Sequence, residues 1–255
     1  MKIFVCIKQV PDTETKIKLA GEQIDPAGVK WVMNPYDEYA VEEAIKLKEK
    51  NAGAQVFAIT LGPKARAGEV LRTALAMGAD EGILIDAPPN LDPLMTARAL
   101  AKAIEQEGGA QLVLTGKLAI DDNASSVSQM VAEFLKVPHA TVISKLTWEA
   151  EAVVAEREAE GGSREILQLQ RPAVIAANKG LNSPRYASLP GIMKAKKKVL
   201  KDLTLEALGV SSSGKTKVLK LELPADKPAV KMISGDATAQ ATSLVQLLRD
   251  EAKVL

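Results

Sequence analysis

QLVLTGKLAIDDNASSVSQMVAEFL, residues 111–135, contains the strand, turn and helix from which the fold is predicted. The apolar run at 111–115 is typical of a buried strand. Apolar residues then recur at helical spacing, which predicts a helix that ends near residue 135. These residues are Val127, Met130, Val131, Phe134 and Leu135. Asp122 and Asn123 favour the N-cap position, so the helix is expected to begin beside them.

The turn between this strand and helix has two interpretations. A helix that begins just past the carboxyl end of a strand suits an anion, because unpaired backbone amides and the helix dipole both point there. One interpretation is a nucleotide phosphate on the amides of Ser125, Ser126 and Val127, and the other is an ordinary capped helix. Asp121 and Asp122 oppose an anion unless their side chains turn toward ribose hydroxyls or the backbone. The residues alone leave both interpretations open.

Strand and helix patterns alternate along the first half of the chain. Buried strands are predicted at 3–7, 56–61 and 82–85, and helices are predicted after Asn34-Pro35, Gly62-Pro63 and Asp92-Pro93. This alternation predicts a mostly parallel sheet with helices on both faces, and ligands off the carboxyl ends of its strands. Cys6, Leu61 and Gly116 lie at or near such ends. Cys6 is expected to be a small buried hydrophobe. Asn34 has two alternative roles, as the N-cap of the helix or as a hydrogen-bond partner of a ligand.

The composition excludes several classes of protein. The 33 basic residues nearly balance 32 acidic ones, which gives no electrostatic case for nucleic-acid binding. One cysteine and one histidine exclude an internal disulfide and a multi-histidine metal site, and no metal site is predicted. No apolar run approaches the roughly 20 residues of a membrane span. The apolar run at the N-terminus is too short for a signal peptide and is followed too early by a charged residue. The expected location is therefore the cytoplasm, or the mitochondrial matrix in a eukaryote.

The second half of the chain has a different pattern. Extended segments at 141–148, 152–158 and 165–170 predict an antiparallel hairpin added to the sheet, and short helices are predicted at 204–208 and near 243–255. Leu189, Ile192 and Met193 adjoin a lysine cluster at 194–198. An apolar tip with a basic rim is typical of transient protein docking, while a solvated basic loop and a nucleic-acid or membrane patch are the alternatives.

The motifs of common nucleotide-dependent and hydrolytic enzymes are missing. No G-x-G-x-x-G follows the first strand, and the chain contains neither G-x-x-x-x-G-K-[ST] nor G-x-S-x-G. The residues therefore predict a binding or carrier protein, not an enzyme with its own chemistry.

Five sequence segments together resemble one family over nearly the whole chain. They are MNPYDE at 33–38, AVEEA at 40–44, RTALAMGAD at 72–80, GKLAIDD at 116–122, and PRYASLP with IMKAKKK at 184–198. They resemble the β subunit of electron transfer flavoprotein. The resemblance implies an adenine-nucleotide α-hydrolase-like fold and an electron carrier that forms a heterodimer with an α subunit. It also implies a nucleotide-binding domain at 1–181, followed at 182–255 by a docking loop and an arm that embraces the partner.

The resemblance implies two cofactors, a structural AMP and an FAD shared with the α subunit. The implied AMP contacts are Cys6, Asn34, Pro35, Tyr36, Asp37, Leu61, Gly116, Lys117, Leu118, Ala119, Ile120, Asp121, Asp122, Asn123, Ala124, Ser125, Ser126 and Val127. Thr13, Tyr36 and Glu158 are implied near the flavin. The family commonly has Asn-Gln-Thr where this chain has Ser125-Ser126-Val127, which removes a hydroxyl at the last position. A bifurcating relative with a second FAD in place of AMP is the alternative.

The resemblance also implies electron-transfer partners. Acyl-CoA dehydrogenases and related flavin dehydrogenases would donate electrons, and a membrane quinone oxidoreductase would accept them. The implied docking residues are Leu189, Pro190, Ile192, Met193, Lys194 and Lys197. A stand-alone adenine-nucleotide-binding regulator is the rival from another class, and it predicts a chain that is stable without a partner.

Overall fold

A computed structural model describes residues 1–89, 91–211 and 213–255. The chain forms two compact units, one of residues 1–17 and 24–219 and the other of residues 18–23 and 220–255. The first unit contains the main sheet and every predicted site residue. The predicted division at residue 182 concerns contact with a partner subunit, and it stays a prediction.

Strands and helices are numbered in chain order. The strands are β1 (Lys2–Ile7), β2 (Gln9–Pro11), β3 (Leu19–Ala20), β4 (Gln23–Ile24), β5 (Trp31–Met33), β6 (Gln55–Gly62), β7 (Glu81–Asp86), β8 (Leu112–Gly116), β9 (His139–Ile143), β10 (Lys145–Trp148), β11 (Ala152–Glu158), β12 (Arg164–Gln170), β13 (Ala173–Ala177) and β14 (Lys201–Thr204). The helices are α1 (Pro35–Lys50), α2 (Lys64–Met77), α3 (Pro93–Gln106), α4 (Val127–Leu135), α5 (Leu189–Lys197) and α6 (Ala237–Gln246). A 3-10 turn spans Glu160–Gly162, and a π-helical turn, Leu247–Glu251, follows α6.

The main sheet has the strand order β14-β7-β6-β1-β8-β13-β9, and every neighbouring pair is parallel. This arrangement confirms the predicted α/β class. From β1 the chain builds outward on one side through β6 and β7, and it then returns to place β8 on the other side of β1. The crevice between the carboxyl ends of β1 and β8 is therefore the topological switch point, where open sheets of this kind bind ligands.

Side chains of the central strand β1 divide between two cores, one on each face of the sheet. Ile3, Val5 and Ile7 pack with α1 and α2. Phe4 and Cys6 pack with α3 and α4. The alternation follows from the two-residue period of a strand, and each large apolar side chain that is buried contributes roughly 1.5–3 kcal/mol. Two covered faces explain why β1 is apolar without interruption.

The start of α4 differs from the prediction. Asp122 and Asn123 are not N-caps, because the helix begins at Val127 with Ser126 in the cap position. Asn123 and Ser125 have φ angles of 51° and 49°, which lie in the left-handed region and do not continue a right-handed helix. The turn after β8 is therefore longer than predicted.

The second half of the chain contains further differences. The segment 204–208 is not a helix: Thr204 is the last residue of the edge strand β14, which pairs with β7, and a turn follows at 205–209. The final helix begins at Ala237, where Asp236 caps it, and not near residue 243. Strands β10, β11 and β12 form a separate antiparallel sheet and do not extend the main one. The predicted docking loop is helical, since residues 189–197 form α5.

Candidate functional site

Asp37 joins three elements at the switch point. Its carboxylate accepts the backbone N–H of Lys8 at 2.7 Å, the backbone N–H of Gly116 at 2.9 Å and the Asn34 amide at 3.0 Å. One buried side chain thus ties the ends of β1 and β8 to the start of α1. Burial raises the pKa of Asp37 to about 7, although these hydrogen bonds and the charge of Lys8 act in the opposite direction.

Asn34 lies at the N-cap position of α1, but its side chain does not cap the helix. Its amide nitrogen also donates to the carbonyl of Leu118 at 2.8 Å, and its amide oxygen accepts the N–H of Ile120 at 3.2 Å. The side chain therefore fastens the turn that follows β8. The prediction of a side-chain cap at Asn34 is wrong, and its competing alternative, a hydrogen bond to a ligand, stays a prediction.

Lys8 is the main member of this site that the sequence argument missed. Its ammonium lies 2.8 Å from an Asp121 oxygen and 2.9 Å from an Asp122 oxygen. Burial acts to lower the pKa of Lys8, but the two aspartates outweigh it and raise the pKa. Asp122 also accepts the N–H of Ala124 at 3.0 Å. In the sequence, the only indication of this role of Lys8 is its position directly after the first strand.

Gly116 has no room for a side chain. A Cβ atom there would lie 2.3 Å from an Asp37 oxygen and 2.7 Å from the Tyr36 Cβ. The next residue, Lys117, donates its backbone N–H to Ala177 at 2.9 Å and places its ammonium 4.8 Å from the centre of the Tyr36 ring. Glycine at this position lets the start of α1 approach β8 closely.

The predicted phosphate position lies at the start of α4. Among the described residues, no acceptor receives the backbone N–H of Ser125, Ser126 or Val127. Three amide donors are thus available for an anion. Cys6 is buried, and burial followed by the charge of Asp37 raises its pKa to about 12. Its thiol is therefore neutral, in agreement with the predicted small hydrophobe.

The predicted flavin-adjacent residues lie on separate elements. Thr13 is exposed in the loop after β2, and Glu158 is exposed at the end of β11. Tyr36 is half-buried at the switch point. No hydrogen bond or ion pair among residues 1–89, 91–211 and 213–255 joins these three side chains. The structure thus brings together several residues that were predicted to contact AMP, including Asn34 and Asp37, and both the AMP and the flavin assignments stay predictions.

The docking surface, which we define as Leu189, Ile192 and Met193, lies on α5. Leu189 is 80% exposed, Met193 is 65% exposed and Ile192 is 37% exposed. Pro190 and the lysines at 194, 196 and 197 are exposed around it, as predicted for an apolar tip with a basic rim. Lys198 is the exception in the cluster, because its ammonium donates to backbone carbonyls of Ala79 and Asp80.

The described residues contain neither a metal-binding cluster nor a helix that could span a membrane. Within the part of the chain that the structure describes, no group of three or more His, Cys, Asp or Glu side chains is arranged to hold a metal ion. None of the helices formed by those residues has the length and apolar character needed to span a bilayer.

Comparison with known proteins gives concordant matches. The electron transfer flavoprotein domain family matches residues 22–208. The electron transfer flavoprotein subunit beta of Bacillus subtilis is 42% identical over 261 residues, which is 100% of each chain. That of Bradyrhizobium diazoefficiens is 41% identical over 257 residues, again 100% of each chain. The one from Homo sapiens is 45% identical over 235 residues, 90% of this chain and 91% of the relative.

These matches confirm the predicted family and, with it, an electron carrier rather than an enzyme. The family match covers well over half of the chain, and the bacterial relatives align along all of it. The chain therefore belongs to the electron transfer flavoprotein family, within which it is a β subunit.

Proposed function

We propose that this β subunit pairs with an α subunit in the cytoplasm and carries electrons from acyl-CoA dehydrogenases and related flavin dehydrogenases to a membrane quinone oxidoreductase. The observation that carries the proposal is the assembled switch-point site in a chain of this family. Asp37, Asn34 and Lys8 hold the backbone there in one arrangement. Such a crevice is where sheets of this topology bind nucleotides.

A structural AMP fits the residues of this site. The amides of Ser125, Ser126 and Val127 are available for a phosphate. Lys8 neutralises part of the charge of Asp121 and Asp122, which removes the main objection to an anion beside them. Val127 has no hydroxyl, so we assign the phosphate contacts to backbone N–H groups.

A flavin shared between two subunits fits the exposed residues. FAD, when bound, supplies the redox chemistry of the pair. Thr13 and Glu158 are exposed and thus available to a partner subunit, and Tyr36 is half-buried beside Lys117. We assign to these side chains the orientation of the flavin ring and the exclusion of water from its β-subunit side.

The docking surface fits a carrier that serves several donors. Leu189, Ile192 and Met193 supply an exposed apolar patch, and Lys194 and Lys197 supply a basic rim. A small apolar anchor with a charged rim gives rapid and weak association, as an electron carrier requires. The arm at 182–255 is proposed to embrace the α subunit.

Counting the nucleotides tests the cofactor assignment. The chain is co-purified with its α subunit, the complex is denatured, and the released FAD and AMP are quantified by chromatography. One FAD and one AMP per heterodimer are expected. Two FADs without AMP would identify the bifurcating alternative instead. A monomer that is stable alone and contains no adenylate would contradict the proposal altogether.

A matched pair of variants shows whether the switch point is the AMP site. Lys8→Met leaves Asp121 and Asp122 without their cation, so AMP affinity should fall about tenfold, as expected for a lost charge pair near a bound anion. Lys64→Met breaks an ion pair with Asp202 away from the site and should leave affinity unchanged. Equal AMP affinity in both variants would place the nucleotide elsewhere.

A further inference from the structure

Apolar burial does not explain how α5 is held in place. Of its nine residues, which the structure describes in full, Ala195 is the only one whose side chain is buried. The docking surface on the same helix is exposed to solvent. A helix of this length is marginal in isolation, so its orientation must depend on other contacts.

The first of these contacts comes from Arg72 on α2. Its guanidinium donates hydrogen bonds to the carbonyl of Ala195 and to that of Lys198. Carbonyls at the end of a helix lack intrahelical donors, and a cation there also complements the helix dipole. Arg72 therefore caps the carboxyl end of α5 from a neighbouring helix.

The second contact runs in the opposite direction. The Lys198 ammonium donates to the carbonyl of Ala79 at 3.1 Å and to that of Asp80 at 2.5 Å, just past the end of α2. Lys48 donates to Gly78 in the same turn at 3.0 Å. Arg72 of α2 thus binds carbonyls at the end of α5, and Lys198 directly after α5 binds carbonyls of the loop that follows α2, an arrangement we call the reciprocal clamp of Arg72 and Lys198.

The chain that enters α5 is fixed independently. Arg185 binds both oxygens of Glu42, at 2.8 and 2.9 Å, and both oxygens of Glu49, at 2.6 and 3.1 Å. Asn182 donates to the Tyr39 carbonyl at 3.0 Å. Both ends of the segment that carries the docking surface are therefore attached to the α/β core by charged or polar contacts.

We propose that Arg72 is a positioning residue for electron-transfer docking, and that with Lys198 it holds α5 so that Leu189, Ile192 and Met193 face a partner in one orientation. This inference rests on the proposed function, because it takes α5 to be the docking element. A surface fixed before association loses less conformational entropy on binding. The clamp thus acts on affinity for the partner and not on electron transfer within the docked complex.

The test uses the heterodimer and the variant Arg72→Gln. Amide hydrogen exchange of residues 192–198 should become about tenfold faster, since the capping contacts are lost. The KM for the heterodimer as acceptor from a reduced acyl-CoA dehydrogenase should rise about fivefold to tenfold, with kcat nearly unchanged. Arg72→Lys should recover part of the affinity, because lysine keeps the charge without the planar fork. Arg98→Gln, at an exposed arginine of α3, is the matched control and should change neither quantity.

The possible results of this experiment distinguish a failure of the clamp from a failure of the proposed docking function. Unchanged exchange of residues 192–198 in Arg72→Gln overturns the clamp. Faster exchange with an unchanged KM supports the clamp and contradicts docking by α5, in which case Leu189→Ala leaves the KM unchanged as well. Lys198→Met removes the second contact of the clamp and should reproduce both effects. A rise in KM without partial recovery in Arg72→Lys also overturns the assignment.

Discussion

The starts of α1 and α3 have the same sequence signal, a polar residue followed by proline, yet their side chains have different partners. Asp92 caps its own helix with one oxygen, which accepts the N–H of Leu94 at 2.9 Å, and binds Thr216 with the other. Asn34 does not cap α1, and the nearby Asp37 receives N–H groups from β1 and β8. The Asp92 side chain thus caps its own helix, whereas the side chains at the start of α1 link two strands.

The difference follows from where the two helices begin. The start of α1 lies at the switch point, beside the ends of two diverging strands whose terminal N–H groups need acceptors. At the start of α3, Asp92 binds the segment of Thr216. Burial raises the pKa of Asp37, while the Thr216 hydroxyl and nearby N–H groups lower the pKa of Asp92. The same sequence signal is therefore followed by a side-chain cap at the start of α3 and by a link between strands at the start of α1.

The largest expected effect that distinguishes the two starts is on stability. Asp37→Ala leaves the buried N–H groups of Lys8 and Gly116 without an acceptor, which should lower the free energy of unfolding by roughly 4 kcal/mol. Asp92→Ala removes a cap and should cost about 1–2 kcal/mol. Denaturant unfolding of the heterodimer measures both values.

Asp37→Asn serves where the alanine variant does not fold. It keeps one acceptor oxygen and replaces the other with an amide, so its cost should fall between those of Asp37→Ala and Asp92→Ala. Equal losses for Asp37→Asn and Asp92→Ala would mean that the two helix starts are equivalent.

A smaller effect is expected from the glycine that faces each aspartate. Alanine at Gly116 would place a Cβ atom 2.3 Å from an Asp37 oxygen and 2.9 Å from the Tyr36 backbone carbon. Alanine at Gly214 would place one 2.4 Å from the Asp92 Cβ. Gly116 belongs to β8 and is held by the sheet, so Gly116→Ala should cost about 2–3 kcal/mol, as overpacked sites do.

Gly214 lies outside any helix or strand, so no strand pairing holds its backbone, although the nearby Thr216 is bound to Asp92. Gly214→Ala should therefore cost less than Gly116→Ala, about 1–2 kcal/mol. Thermal unfolding of the two variants side by side measures the difference. A larger loss of stability in Gly214→Ala than in Gly116→Ala would contradict the expectation that the backbone at Gly116 is the more rigid.

The two helix starts should also differ in the pH dependence of stability. Between the ordinary aspartate pKa of 3.8 and the Asp37 pKa of about 7, the folded state holds the additional proton, so this group makes stability fall as pH rises. The contribution of Asp37 to the slope should approach 1.4 kcal/mol per pH unit and should be lost in Asp37→Asn. Asp92 has the opposite sign, since its lowered pKa gives stability that is lost as pH falls below about 4. Equal slopes from pH 4 to 7 in the unmodified protein and in Asp37→Asn would remove this assignment.

Local patterns were sufficient to predict most of the parallel sheet. Continuous apolar runs marked β1, β6, β7 and β8, because strands covered on both faces lack polar positions. Proline and its polar neighbour located the starts of α1 and α3. The sequence motifs were sufficient to identify the family. They also singled out Asn34, Asp37 and Gly116 without reference to the contacts that these residues make.

The remaining features depend on contacts between residues far apart in sequence. Lys8 binds Asp121 and Asp122 across more than a hundred residues, and no local pattern indicates such a pair. The short strand β14 forms only because β7 offers an unpaired edge. α5 depends on Arg72, which lies on α2. In each case the partner residue is distant in sequence and comes close only on folding, so the neighbouring sequence does not reveal it.

The pairing of β14 with β7 has a consequence for biosynthesis. The edge of β7 acquires its neighbour only when residues 201–204 have left the ribosome, which at ordinary translation rates is on the order of ten seconds after β7 itself emerges. During that interval a nascent chain presents an open strand edge of the kind that aggregates. Newly made β subunits are therefore expected to need chaperone protection until this late segment has been synthesised.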